Sequence, residues 1–131
     1  RYLAAVAILI AAGFAVKPVL THYSANWLTG VGVFIVEQTS PRQQVYDQRA
    51  AAFAERIAAC LRAGGHDEVL VVSHSVGVIL AIKTLARLIP LMPPGRQVSF
   101  LSLGQPIAMA TYQPGAEQLR EELLAVALSP R

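Results

Sequence analysis

One cysteine, Cys60, stands alone in the sequence, which excludes an internal disulfide; on an apolar helical stripe it reads as a small core residue. Charge is equally scarce. Only 15% of the residues are charged against 54% hydrophobic, so the chain either buries its interior unusually well or places a segment in lipid. The 11 Lys and Arg residues are scattered without a cluster, and the formal charge of +3 leaves no footprint for nucleic acid. Three histidines, one cysteine and dispersed acids show no ligand spacing, so neither a metal nor another cofactor is expected. A phosphate loop is also missing, because no glycine-rich stretch leads into a lysine. No internal repeat or low-complexity segment appears beyond a bias toward alanine. The 131 residues suit one modest domain or part of a larger one, and the opening on Arg1 and the close on Ser129-Pro130-Arg131 read as the ends of a fragment.

What the chain has in quantity is apolar sequence at its start. Tyr2 to Val16 carries no charge and would make a helix of about 22 Å; continued through Lys17-Pro18 to Leu20 it reaches about 28 Å, close to the hydrocarbon thickness of a bilayer. A second run, Pro18 to Val36, is more polar, and its better half, Trp27 to Val36, fits the second arm of a helical hairpin or a strand. One or two membrane helices, a signal-peptide-like segment, and buried soluble structure all account for the region, with the first preferred. Tyr23 and Trp27 suit a membrane interface or a core. The expected organisation is therefore an apolar, membrane-associated segment over residues 1–36 and an α/β domain over 37–131. Arg42, Arg49 and Arg56 follow the apolar region closely and lean that domain toward the cytoplasmic side.

Ser40-Pro41-Arg42-Gln43 has the form of a helix start: a hydroxyl cap, proline at the first helical position, and glutamine three residues after the cap. The spacing predicts a helix to about Ala63, with Val45, Tyr46, Phe53, Ile57, Cys60 and Leu61 on its apolar stripe and Gly64-Gly65 ending it. Val69 to Ser73 is a continuous apolar run closed by serine, the pattern of a strand covered on both faces in a parallel sheet. Val76 to about Ile89 reads as a buried helix whose Lys83, Thr84 and Arg87 mark a narrow exposed edge, stopped by Pro90. Val98 to Leu103 is a second strand, and Ala116 to Leu128 a last helix on Leu119, Leu123, Leu124 and Val126. Helix, strand, helix, strand, helix in this order is an α/β pattern with crossover connections.

The chemistry concentrates between the first strand and the helix after it. In Ser73-His74-Ser75-Val76-Gly77, a serine stands where the chain turns directly from strand to helix. A serine hydroxyl needs a base to take its proton and preorganised donors for the oxyanion it creates. The N–H of Val76, at the helix start, is the candidate donor. A turn this sharp demands small residues two before and two after the serine, which Ser73 and Gly77 supply; glycine in a first helical turn otherwise costs about 1 kcal/mol against alanine.

Val71-Val72-Ser73-His74-Ser75-Val76-Gly77 resembles the nucleophile elbow of the α/β-hydrolase superfamily, with Ser73 in place of the usual first glycine. Phe100 to Pro106 is similar to the next sheet strand and "GQP" turn of its lipase-like members, so the resemblance covers about Asp67 to Pro106. The apolar start and amphipathic helix also resemble bacterial membrane-associated hydrolase-like proteins. This resemblance implies a partial parallel hydrolase-like sheet with flanking helices, preceded by the apolar segment. It also implies Ser75 as nucleophile, Val76 as oxyanion donor, an acyl ester as small-molecule or lipid substrate, and an acid and a histidine later in the chain. No histidine follows Ser75, and Glu117, Glu121 and Glu122 read as a solvated helix face, so the triad is expected to be completed beyond this chain. Of the three histidines, His74 points away from the serine in such a turn, His66 precedes the strand, and His22 lies in the apolar region. A second oxyanion loop could come only from Gly30 to Gln38. The alternative is a noncatalytic scaffold or binding protein that keeps the same framework at a membrane.

Overall fold

The computed structural model describes residues 2–22, 25–66 and 68–129; Tyr23 and Asp67, named above, lie outside them. The chain divides into two compact units, residues 1–33 and 34–131. In the first, α1 (Tyr2–His22) is a single helix that contains Pro18. Its 21 residues span about 31 Å and the side chains of residues 2–19 are exposed, so α1 is long and apolar enough to cross a membrane. A signal sequence meets the same test. The next helix, α2 (Ala25–Glu37), settles the choice between helix and strand for the second apolar run, and leaves Trp27 exposed.

The second unit begins at the end of α2 and is a mixed α/β fold, mostly helical, around a two-stranded parallel sheet. After α2 come α3 (Gln43–Ala63), β1 (Val69–His74), α4 (Gly77–Leu88) and a short 3-10 turn, Ile89–Leu91, which absorbs Pro90. The unit ends with β2 (Val98–Leu103), α5 (Ile107–Thr111) and α6 (Glu117–Ala127). The strands run in register from Val69 opposite Val98 to His74 opposite Leu103.

Three expectations need correction. Ser40 does not cap α3, which starts at Gln43 after an uncapped Arg42; its hydroxyl instead donates to the Glu37 carbonyl at 3.0 Å and accepts the Arg42 N–H at 3.2 Å, closing the turn out of α2. The face of α3 that packs is an alanine row, Ala50, Ala54 and Ala58, continued by Leu61. Val45 and Phe53 of the predicted stripe are 58% and 43% exposed, because residues four apart with minimal side chains let α3 approach α4 closely and push the larger ones to the flanks. The sheet, finally, is covered on one face only among the described residues. Val69, Val71, Val98 and Phe100 pack on the core of Ala54, Ala58, Leu61, Leu85 and Leu88, while Leu70 and Val72 are 54% and 55% exposed, since α3, α4 and α6 all gather on the same side.

A fourth correction concerns α4. Lys83 and Thr84, expected on an exposed edge, are buried, with Lys83 at 0% exposure. The Lys83 ammonium lies 3.0 Å from Asp47 of α3 and 3.5 Å from Glu122 of α6, and the Arg87 guanidinium joins the same two carboxylates at 3.0 and 2.8 Å. The Gln118 amide donates to Glu122 at 2.9 Å. Two cations and two anions thus neutralise one another where three helices meet, and Glu122 is part of a half-buried network around the fully buried Lys83 rather than a solvated face. Removing one member of such a network leaves a charge without its partner, which is far more damaging than replacing the whole group. Lys83→Met is expected to lower the unfolding free energy of the full chain in detergent by about 3 kcal/mol. Arg62→Met, at an exposed position, should change it by less than about 0.5 kcal/mol in the same urea titration.

The junction between α2 and α3 is held by a second, half-buried cluster with Arg42 at its exposed rim. The Tyr46 hydroxyl donates to Glu37 at 2.6 Å, Arg42 donates to the other carboxylate oxygen at 2.7 Å, and the Tyr46 ring meets Phe34 edge-on at 5.0 Å. The hydrogen bond from Tyr46, then that from Arg42 and its charge, hold the Glu37 carboxyl below the usual glutamate range. The same bond raises the Tyr46 hydroxyl. A depressed carboxyl stabilises the fold fully above its unfolded-state pKa and loses that contribution as pH falls through the folded-state value. Tyr46→Phe should therefore move the Glu37 midpoint up toward the usual glutamate range in a carboxyl-carbon NMR titration.

Candidate functional site

Parallel strands present their carboxyl ends as the natural place for a ligand, because loops and helix N-termini converge there. At that end of β1 the chain reverses within two residues, Ser75 and Val76, before α4 begins at Gly77. Ser75 adopts φ +54°, the one positive φ at a residue other than glycine among the described residues. For an L-residue this left-handed conformation costs about 1–2 kcal/mol, so it persists only where the surroundings impose it. The imposing bonds are visible. The Ser75 N–H donates to the Leu103 carbonyl at 2.9 Å, extending the ladder with β2, while its own carbonyl accepts the Val78 N–H at 3.1 Å and starts α4. The residue belongs to strand and helix at once.

The N–H groups of Val76 and Gly77 meet no acceptor among the described residues. Both stand at the positive end of α4, a twelve-residue helix, and can receive a developing negative charge. Val76 was the donor expected from the sequence; Gly77 is a second one that the five-residue pattern does not announce, since the pattern only speaks of size. The steric reason for Gly77 does not hold here: a Cβ at Gly77 would meet nothing within 4 Å, because no element packs over the turn at that point. Ser73 does sit on the packed side of β1, and its Oγ is buried without a hydrogen-bond partner. Beside the turn, Gly104 takes φ +56° and ends β2, and the Gln105 side chain accepts the Ile107 N–H at 2.6 Å to start α5. A Cβ on Gly104 would lie 3.8 Å from the His74 Nε2, so the two strand ends close against each other.

The titratable residues are distributed elsewhere. His74 is exposed on the bare face of the sheet, His66 is exposed before β1 at the opposite end of the strand, and His22 ends α1 in the first unit. Glu117 pairs with Arg120 at 2.7 Å, Glu121 is exposed, and Glu122 is taken up by Lys83 and Arg87. Among the described residues, no base is hydrogen-bonded to the Ser75 hydroxyl and no cluster of His, Cys, Asp or Glu could hold a metal ion. The stretch from Gly30 to Gln38, the remaining candidate for an oxyanion loop, is helical through Glu37, and its backbone donors are engaged within the helix. Cys60 is a free, half-buried thiol. No known family, curated protein or solved structure matches this chain.

The geometry of the turn makes its own stability series. Ser75→Gly should raise the melting free energy by up to about 1 kcal/mol by relieving the left-handed strain, whereas Ser75→Val, β-branched, should lower it. Gly77→Ala should also stabilise, by up to about 1 kcal/mol, since helix propensity favours alanine and the space is open. Thermal unfolding of the four proteins side by side checks all three signs.

Proposed function

We propose that Ser75 is the nucleophile of a serine hydrolase that cleaves acyl esters, with an α/β-hydrolase-like framework held at a membrane by α1. The observation that carries this reading is the left-handed Ser75 between a parallel strand and a helix with unpaired N–H groups, because local strain at a reactive side chain is a feature of functional sites rather than of connecting turns. The resemblance of Val71 to Gly77 and of Phe100 to Pro106 to the elbow and the following strand supports it as well.

In the proposed reaction the Ser75 Oγ attacks the ester carbonyl as a base takes its proton, and the carbonyl oxygen becomes an oxyanion facing the Val76 N–H. The Gly77 N–H lies beside it as a second donor. Collapse of the tetrahedral intermediate releases the alcohol, protonated by the same base, and leaves the acyl group on Ser75; water then completes the hydrolysis. On this reading the histidine and acid are supplied from outside residues 1–131. The three arginines after the apolar region, Arg42, Arg49 and Arg56, favour a cytoplasmic catalytic unit.

A specific observation favours a second reading. Ser75 has no base bonded to it among the described residues, and a framework without a base is a noncatalytic scaffold or binding protein at the membrane. Labelling of the full-length protein with a fluorophosphonate separates the two. Wild-type protein should be labelled and Ser75→Ala should not; equal labelling of both removes the nucleophile assignment, and absence of labelling in both favours the scaffold.

A further inference from the structure

Helix α3 packs through the row of Ala50, Ala54, Ala58 and Leu61, so helical periodicity fixes which of its residues turn away from the core. Arg42, Arg49 and Arg56 follow one another at intervals of seven residues, close to two helical turns, and share that outer side. All three are exposed, as are Val45 and Ala52 between them. Charges that are dispersed in the sequence are thus aligned by the helix. Arg42 is engaged by Glu37 at 2.7 Å, whereas Arg49 and Arg56 make no ion pair among the described residues. The acids of α3 lie elsewhere. Asp47 is bonded to Lys83 and Arg87 of α4, and Glu55 stands about 100° round the helix from Arg56.

What meets this face is decided by its charge and by its place in the chain. Further strands would extend the sheet from its edges, and a helix that flanks a sheet keeps its outer side outside those layers. An apolar cover would bury two guanidinium groups with no acid to meet them, at heavy cost. Two unpaired arginines are also too few for a nucleic-acid backbone, where affinity rests on many simultaneous phosphate contacts. An anionic bilayer surface meets the conditions. The arginine fork pairs with phosphate, and Val45 adds an apolar contact at the headgroup boundary. The chain also arrives at α3 directly from two apolar helices, of which α2 exposes Trp27, Leu28, Val33 and Val36. Phe34 and Glu37, in the last turn of α2, are fastened to Tyr46 of α3, so the arginine face starts where the apolar helices end. We infer that the outer face of α3 docks on the anionic headgroups of a phospholipid bilayer through Arg49 and Arg56, with Arg42 and Val45 at its leading end. The headgroup phosphates supply the negative charge that these two side chains lack within the fold. Because α3 packs on α4, docking fixes which side of the second unit faces the bilayer. The inference takes only the membrane from the proposed function and does not depend on Ser75 being a nucleophile.

The test uses the full chain in lipid nanodiscs, spin-labelled at Ala52→Cys with Cys60→Ser so that one thiol remains. Collision of the label with an uncharged, water-soluble nickel chelate reports whether the face is open to water. Discs of phosphatidylcholine should leave it open. In discs with about a third phosphatidylglycerol the collision rate should fall by about fivefold or more, since each arginine near an anionic surface contributes about that factor. Arg49→Gln with Arg56→Gln should shrink the difference between the two discs to less than about twofold. Both positions are exposed, so this variant folds. Salt at about 1 M should shrink the difference in the same way, because it screens exposed charges. Equal, high collision rates in both discs overturn the inference. Equal, low rates in both discs and in detergent overturn it in favour of a protein segment covering the face. If the chain does not enter discs at all, anchoring by α1 is what fails. Flotation then decides the inference: the chain should rise with phosphatidylglycerol vesicles and not with phosphatidylcholine vesicles, and the double glutamine variant should rise with neither. Absence of flotation with phosphatidylglycerol overturns both.

Discussion

The second unit depends on how α4 is held. This helix touches the sheet through β1, α3 through the alanine row, and α6 through Leu119 and the ion network, so apart from the pairing of β1 with β2 most of the packing between elements passes through it. Apolar packing accounts for Val78, Ile79, Ile82, Leu85 and Leu88, but it does not orient three helices uniquely, because leucine and alanine surfaces slide over one another at small penalty. Lys83 does orient them. A buried ammonium tolerates only arrangements that keep carboxylates from both neighbouring helices within reach, and Asp47 and Glu122 meet that condition together with Arg87.

That anchorage reaches the turn. The α4 N-terminus is six residues before Lys83, less than two helical turns, and Ser75 stands directly ahead of it. With α4 fixed from behind and β1 fixed by its register with β2, the two residues between them have little freedom, and Ser75 takes the left-handed conformation that joins the two directions. The strain at Ser75 is thus a consequence of packing at a distance. It also explains why the Val76 and Gly77 N–H groups meet no acceptor among the described residues: the connection is too short to fold one back over them.

The same arrangement leaves one side of the sheet unsupported. All three packing helices lie on the Val69, Val71 and Phe100 face, while Leu70, Val72, Leu101 and Leu103 are exposed opposite, and among the described residues each strand has one partner only. Parallel sheets are ordinarily covered on both faces, and the continuous apolar sequence of β1 already spoke for such cover. Sequence and structure agree on what β1 is and differ on its surroundings, because an apolar side chain records a preference for burial and not the identity of its neighbour.

The sequence by itself determined the local elements: β1 and β2 from β-branched runs, α4 from an apolar stretch between a small-residue turn and a proline, and Ser75 as the residue at the turn. Each rests on chemistry within a few residues, which is the range over which backbone propensity and turn sterics act. The tertiary structure alone decided that alanines rather than Val45 and Phe53 form the working face of α3, since a close approach between helices is a property of two surfaces at once. It alone placed Lys83 in the interior, because a lysine is admitted to a core only when carboxylates 36 and 39 positions away in the chain arrive beside it. And it decided that α5 forms within the irregular stretch after β2, where the Gln105 side chain supplies a helix start that no periodic pattern marks.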